Sequence, residues 1–171
     1  IGIIGAVGEG IGRTYRGEAD VRIAGTEFLA ISGLVNTHTH AAMSLLRGYA
    51  DDLPLQTWLS EKIWPLEALL TGDDVYWGTR LACLEMIRSG TIAFSDMYFF
   101  MEDAARAVAE SGLKAVLSYG FIDLSDPDRR EREMKATEHL VASIRAMGNP
   151  KIQPALGPDA VYTVSEESLR W

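Results

Sequence analysis

Two histidines one residue apart, His38 and His40, close the apolar run Ser32-Gly33-Leu34-Val35-Asn36-Thr37-His38-Thr39-His40. Side chains two apart on a strand point the same way, about 6.5 Å apart along the backbone. Imidazoles placed like that can reach one metal ion, at about 2.0–2.1 Å per bond for zinc. Such a cation lowers the pKa of bound water from about 15.7 to about 7, which is the chemistry of hydrolysis. The same pattern also suits two polar residues at a strand-to-loop junction, because only a completed ligand set is diagnostic. The third histidine, His139, falls in a helical stretch, away from the apolar face set by Met134, Val141 and Ile144, and reads as a solvated side chain.

The elements around the pair alternate. Short apolar runs at 34–37, 91–95, 115–119 and 152–156 read as strands of a parallel sheet covered on its outer face. Thr71-Gly72-Asp73-Asp74 resembles a capping box with Asp in place of Glu, and Gly90 suits that helix's end. Met101, Ala104, Ala105, Val108 and Ala109 form a helical stripe closed by Gly112. A longer helix over 128–147 ends at Gly148-Asn149-Pro150, and Thr163-Val164-Ser165-Glu166 reads as a capping box opening another. Residues 1–32 read as short β segments with Gly-rich turns: Val21 and Ile23 alternate with Arg22 and Ala24 before Gly25-Thr26. Residues 41–70 are long for a strand-to-helix loop, and Leu55, Trp58, Leu59 and Ile63 give them helical spacing. Four βα units suit part of a (β/α)8 barrel or an open doubly wound sheet.

The chain has 171 residues, of which 47% are hydrophobic and 23% charged, an ordinary globular balance. Its formal net charge is -8, from 24 acids and 16 bases, a poor match to nucleic acid or an anionic membrane. No apolar run approaches a membrane span. A single cysteine, Cys83, excludes an intrachain disulfide and fits a reducing, cytoplasmic setting. The apolar opening lacks an initiator methionine and a basic flank, so a signal peptide is not expected; the numbering reads as starting inside a longer protein.

Gly33-Leu34-Val35-Asn36-Thr37-His38-Thr39-His40, followed by Ala42-Met43-Ser44-Leu45-Leu46-Arg47-Gly48, resembles the first metal-binding strand of the amidohydrolase superfamily. The likeness is greatest to its S-adenosylhomocysteine and 5′-methylthioadenosine deaminase and chlorohydrolase branch. It continues through Asp51-Asp52-Leu53, Trp58-Leu59, Trp64-Pro65-Leu66-Glu67, Gly90-Thr91, Asp96-Met97-Tyr98 and Gly157-Pro158-Asp159, in order. The resemblance implies an α/β fold. Residues 33–171 would be the first four units of a (β/α)8 barrel, and 1–32 a remnant of a small β-sandwich. It also implies His38 and His40 as ligands of one divalent metal, zinc first, with iron, manganese or nickel as alternatives. Trp58 would stack on a purine and Glu67 would hold a ribose diol. Residue spacing alone leaves Trp58 equally suited to a core stripe and Glu67 to a helix start. The remaining ligands and the acid–base groups would lie beyond Trp171, so the isolated chain is expected to show little turnover.

Two departures bear on the substrate. The branch pattern Gly-Pro-His-Ala-Pro-Tyr here reads Gly157-Pro158-Asp159-Ala160-Val161-Tyr162, which puts an anionic acceptor at a substrate-facing position. Tyr119 stands where adenosine-type deaminases of the branch can carry an arginine for the homocysteine carboxylate. Arg129 and Arg130 are possible substitutes, but they also read as a solvated charge run. Asp96 could face the pocket or cap local backbone. Met43, Met97 and Met101 suit either a soft lining or the core. The resemblance implies hydrolytic deamination of an adenosine-type nucleoside, a small-molecule substrate. The alternatives are hydrolysis of another heterocycle (guanine, cytosine, a chlorotriazine or a cyclic amide) and a non-catalytic half-barrel. Exposed strand edges would favour pairing of that half-barrel with a complementary half or another copy of itself as a homo-oligomer.

Overall fold

A computed structural model describes residues 4–14, 17, 20, 21, 23 and 28–171. The chain divides into two compact units, Ile1–Ser32 and Gly33–Trp171. In the first, the regular element among the described residues is a single helical turn, α1 (Ile11–Thr14). The β segments expected over 1–32 are not present among those residues. Val21 and Ile23 are exposed and belong to no ladder, and a strand without a hydrogen-bonded neighbour has little to hold it. Arg22, Ala24 and Gly25-Thr26, which complete that alternation, lie outside the described residues.

The second unit is a four-stranded sheet of β1 (Leu34–Thr39), β2 (Thr91–Tyr98), β3 (Lys114–Phe121) and β4 (Ile152–Pro158), all parallel and in chain order. Each strand runs two or more residues past the apolar stretch that announces it, to Thr39, Tyr98, Phe121 and Pro158. The β2–β3 and β3–β4 ladders keep strict register, whereas β1 slips against β2. Asn36 pairs with Phe94 and Thr39 with Asp96, so β1 carries one extra residue just before His40.

The crossovers follow their end signals. Between β1 and β2 lie a 3₁₀ turn (Ala41–Leu46), then α2 (Leu55–Thr57), a π-helical stretch (Trp58–Ile63), α3 (Trp64–Glu67) and α4 (Gly72–Arg88). The expected box opens α4: the Thr71 N–H donates to Asp74 at 2.8 Å, and the Asp74 N–H donates to the Thr71 hydroxyl at 3.4 Å. α5 (Met101–Ser111) ends at Gly112, φ 78°, and α6 (Pro127–Met147) at Gly148, φ 61°, where glycine takes the left-handed conformation without a Cβ penalty. α7 (Glu166–Arg170) is capped by Ser165, which accepts from the Ser168 N–H, and not by Thr163. The Thr163 hydroxyl is used instead in the preceding loop, on Asp159 and Ala160.

The core lies on one sheet face. Phe94, Ala115, Leu117 and Ile152 meet Val75, Ala82 and Cys83 of α4, Ala104, Ala105 and Val108 of α5, and Leu140 and Ile144 of α6. Each large apolar side chain buried there contributes about 1.5–3 kcal/mol. The opposite face, with Val35 and Val116, is open among the described residues. A polar latch joins β3 to α7. Asp123 is fully buried and accepts from the Ser125 and Ser165 N–H groups and from the hydroxyls of Ser165 and Ser168. Burial pushes this carboxyl up, but those four donors outweigh it and hold it well below the usual carboxylate range.

Candidate active site

His40 directly follows β1, Met97 and Tyr98 end β2, Gly120 and Ile122 mark the end of β3, and Asp159 follows β4. All of them line one cavity at the C-terminal ends of the strands. Met43, Trp58, Leu59, Ile63, Glu67 and Phe99 complete its wall. The 41–67 segment thus folds over the strand ends, and its π-helical stretch turns Trp58, Leu59 and Ile63 toward the cavity while Leu55 stays exposed. A π-type stretch shifts the facing of every later side chain, which a 3.6-residue stripe does not anticipate.

The His38 and His40 rings are adjacent, with centroids 5.5 Å apart and planes at 85°. His40 Nδ1 lies 2.6 Å from the Met97 carbonyl oxygen. A carbonyl can only accept, so Nδ1 carries a proton, and in the neutral ring the lone pair is then on Nε2. That is how a ligating histidine is ordinarily oriented. The His40 ring, with the His38 ring beside it, fits nitrogen ligation of a borderline divalent ion such as zinc. Among the described residues no group of three or more His, Cys, Asp or Glu side chains could hold a metal.

The remaining polar groups are fixed by neighbours. The Trp58 indole N–H donates to the Ala50 carbonyl at 3.0 Å. The Tyr98 hydroxyl donates to Glu67 Oε1 at 2.7 Å. Burial, then that hydrogen bond and the carboxylate's charge, pushes the Tyr98 phenol far up, so it stays a donor. Asp159 Oδ2 accepts from Thr163 at 2.8 Å. Asp96 does not line the cavity. It is buried and accepts the Ala41 N–H at 2.8 Å. Burial raises its pKa against the pull of that bond, Thr39 and His40.

A family model for the amidohydrolase family matches residues 29–171. The chain belongs to the amidohydrolase family. The 5′-deoxyadenosine deaminase of Methanoregula boonei is 65% identical to it over 168 residues, 98% of this chain and 38% of that protein. 5-Methylthioadenosine/S-adenosylhomocysteine deaminase 1 of Archaeoglobus fulgidus is 51% identical over 153 residues, 90% of this chain and 36% of that protein. An adenosine deaminase from Xanthomonas campestris, solved with bound zinc, superposes with a TM-score of 0.71 at 38% identity, covering 80% of this chain and 31% of its own. The chain thus spans little more than a third of the length of the curated relatives it matches.

Against this amidohydrolase frame the structure sorts the remaining candidates. Met43 and Met97 line the cavity, while Met101 is wholly in the core. Arg129 lies 3.8 Å from Glu133 and Arg130 lies 3.8 Å from Asp123; neither lines the cavity. Tyr119 is half-buried against Phe99, and burial with the Glu133 carboxylate pushes its pKa up to about 12. His139 is exposed, 3.9 Å from Glu102. Sequence reasoning gave no role to Tyr98, Phe99 or Ile122. Tyr98 carries the one signal that could have found it, a hydroxyl at the last position of a parallel strand.

Proposed function

We propose that these residues form the first part of a metal-dependent deaminase acting on adenosine-type nucleosides, with His38 and His40 as two of the metal ligands. The observation that carries this reading is the His40 ring, oriented by Met97 so that Nε2 is free, beside His38 and on a cavity walled by Trp58 and Glu67. The names of its relatives supply the substrate class. A divalent cation held by the pair supplies water made acidic enough to react near neutral pH. The chain's own residues bind and orient. The Trp58 indole, anchored through Ala50, offers a flat apolar face to a purine. Glu67, with Oε1 already occupied by Tyr98, has Oε2 free to accept from sugar hydroxyls. Asp159 accepts from the amino N–H of the base, and the apolar wall of Met43, Leu59, Ile63 and Phe99 limits water. Overall, water replaces the amino group of the base and ammonia leaves.

The test is metal analysis and ammonia release in the protein that carries this chain, native and with His38→Ala and His40→Ala combined. Substrates are 5′-deoxyadenosine, 5′-methylthioadenosine and S-adenosylhomocysteine, with guanine, cytosine and a chlorotriazine alongside. Loss of bound metal and of ammonia release together is expected. Undiminished metal content with undiminished turnover refutes the reading. Turnover confined to a non-adenosine heterocycle refutes the substrate class alone.

A further inference from the structure

We infer that Asp96 is a positioning residue for the imidazole pair, acting through the backbone and hydroxyl around His40 and not through ligand or metal. The inference rests on the proposed metal-binding role of His38 and His40. Three consecutive residues at the end of β2 clasp three consecutive residues at the tip of β1. The Thr39 hydroxyl donates its one proton between the Ser95 carbonyl, 2.7 Å away, and Asp96 Oδ1, 2.8 Å away. His40 Nδ1–H donates to the Met97 carbonyl at 2.6 Å. The Ala41 N–H donates to Asp96 Oδ1 at 2.8 Å.

The clasp is needed because the ladder fails there. Between the pairs Asn36–Phe94 and Thr39–Asp96, β1 has two residues, Thr37 and His38, against one of β2, Ser95. A bulge of this kind re-aims the side chains beside it and leaves backbone groups without their regular partners. Asp96 takes over that role: its side chain receives both the chain leaving His40 and the hydroxyl preceding it. Asp96 is 2% exposed, and its Oδ2 is buried with no hydrogen-bond partner. Oδ1 thus serves two donors of the segment that carries His40, and an apolar side chain in its place would leave the buried Ala41 N–H without a partner. The geometry assigns it the task of holding His40 on the Met97 carbonyl and beside His38.

The experiment measures zinc affinity by chelator competition on the protein that carries this chain. It compares the native form with Asp96→Ala, Asp96→Asn and Thr39→Val. A core variant remote from the clasp, Ile144→Val, controls for general destabilisation, and the metal-free melting temperature is recorded for each. Supporting residues of ligating histidines typically set affinity by about 10–100-fold. Asp96→Ala should therefore bind zinc at least about tenfold more weakly. Asp96→Asn, which keeps the Oδ1 acceptor, should recover most of that loss. Thr39→Val should fall between, and Ile144→Val should bind like the native form. Native affinity in Asp96→Ala overturns the inference, as does an Ile144→Val loss equal to that of Asp96→Ala. If Asp96→Ala does not fold, native affinity in Thr39→Val overturns it. A native protein whose zinc is untouched by removing both histidines instead overturns the metal reading, a separable result.

Discussion

Gly78→Ala sets two effects of known size against each other on α4. Alanine favours a helix interior over glycine by about 1 kcal/mol, so the change would stabilise an isolated helix. Here the added Cβ would sit 2.9 Å from Ala42 Cα and 3.1 Å from Ala42 C, and closer still to the Ala42 carbonyl oxygen. Restoring ordinary contact needs the 3₁₀ turn to retreat by about 0.5 Å or more. That neighbour is backbone in a buried turn, so it cannot swing aside. Overpacking of this kind typically costs about 1–3 kcal/mol. The clash wins, and a net loss of roughly 1–2 kcal/mol is expected, seen as a melting temperature lower by a few degrees. Ala42 lies two residues after His40, so zinc affinity should fall with it. Gly72→Ala on the same helix is the matched comparison. Its Cβ would meet the carboxylate end of Asp103, a partly exposed side chain that can rotate away, and stability should stay within about 0.5 kcal/mol. Thermal melts of both variants, followed by chelator competition, check this. A Gly78→Ala protein as stable as the native one, or a pair of variants that respond alike, refutes the reasoning.

Tyr98→Phe removes the donor to Glu67, a bond to a charged group worth about 1.5–3 kcal/mol. KM for a nucleoside bearing the sugar diol should rise about tenfold while KM for its 2′,3′-dideoxy analogue stays put; equal rises would count against Glu67 as the diol contact. Asp123 is held below its unfolded pKa, so its contribution is complete above the unfolded value of about 4 and fades as pH falls through it toward the folded value. Asp123→Ala should therefore melt well below native protein at pH 7, with the gap narrowing under pH 4; a gap that does not depend on pH would show that the latch does not rest on the charge. Gly157→Ala would press its Cβ to 2.7 Å from Ser118 Oγ and the Tyr119 carbonyl. It should destabilise by about 1–3 kcal/mol, checked by urea melts.

The strand centres, the three glycine helix ends and the Thr71 box were readable because each is a local signal: apolar runs, a left-handed residue, a three-residue cap. Strand ends were not, since a polar Asp96 in β2 and a Gly120 in β3 interrupt the apolar runs before the strands end at Tyr98 and Phe121. The α7 cap was read two residues early, because Thr163 fits the cap pattern but is held by Asp159 across the turn. His38 and His40 were visible as a pair, and Trp58 and Glu67 by resemblance. The Tyr98–Glu67 bond, the Asp96 clasp and the Asp123 latch join residues 31, 55 and 42 positions apart, beyond any local pattern.

The clasp at the tip of β1 also orders events as the chain folds. Its bonds span 55 to 57 residues, and closing a loop of that length costs roughly 3–4 kcal/mol of chain entropy. Docking β1 on β2 meets that cost once, and every bond of the clasp then forms within an already closed ring. The His40 imidazole is set on the Met97 carbonyl as a by-product of sheet assembly, so a cation would meet a ring already aimed beside His38 rather than one on a loose chain.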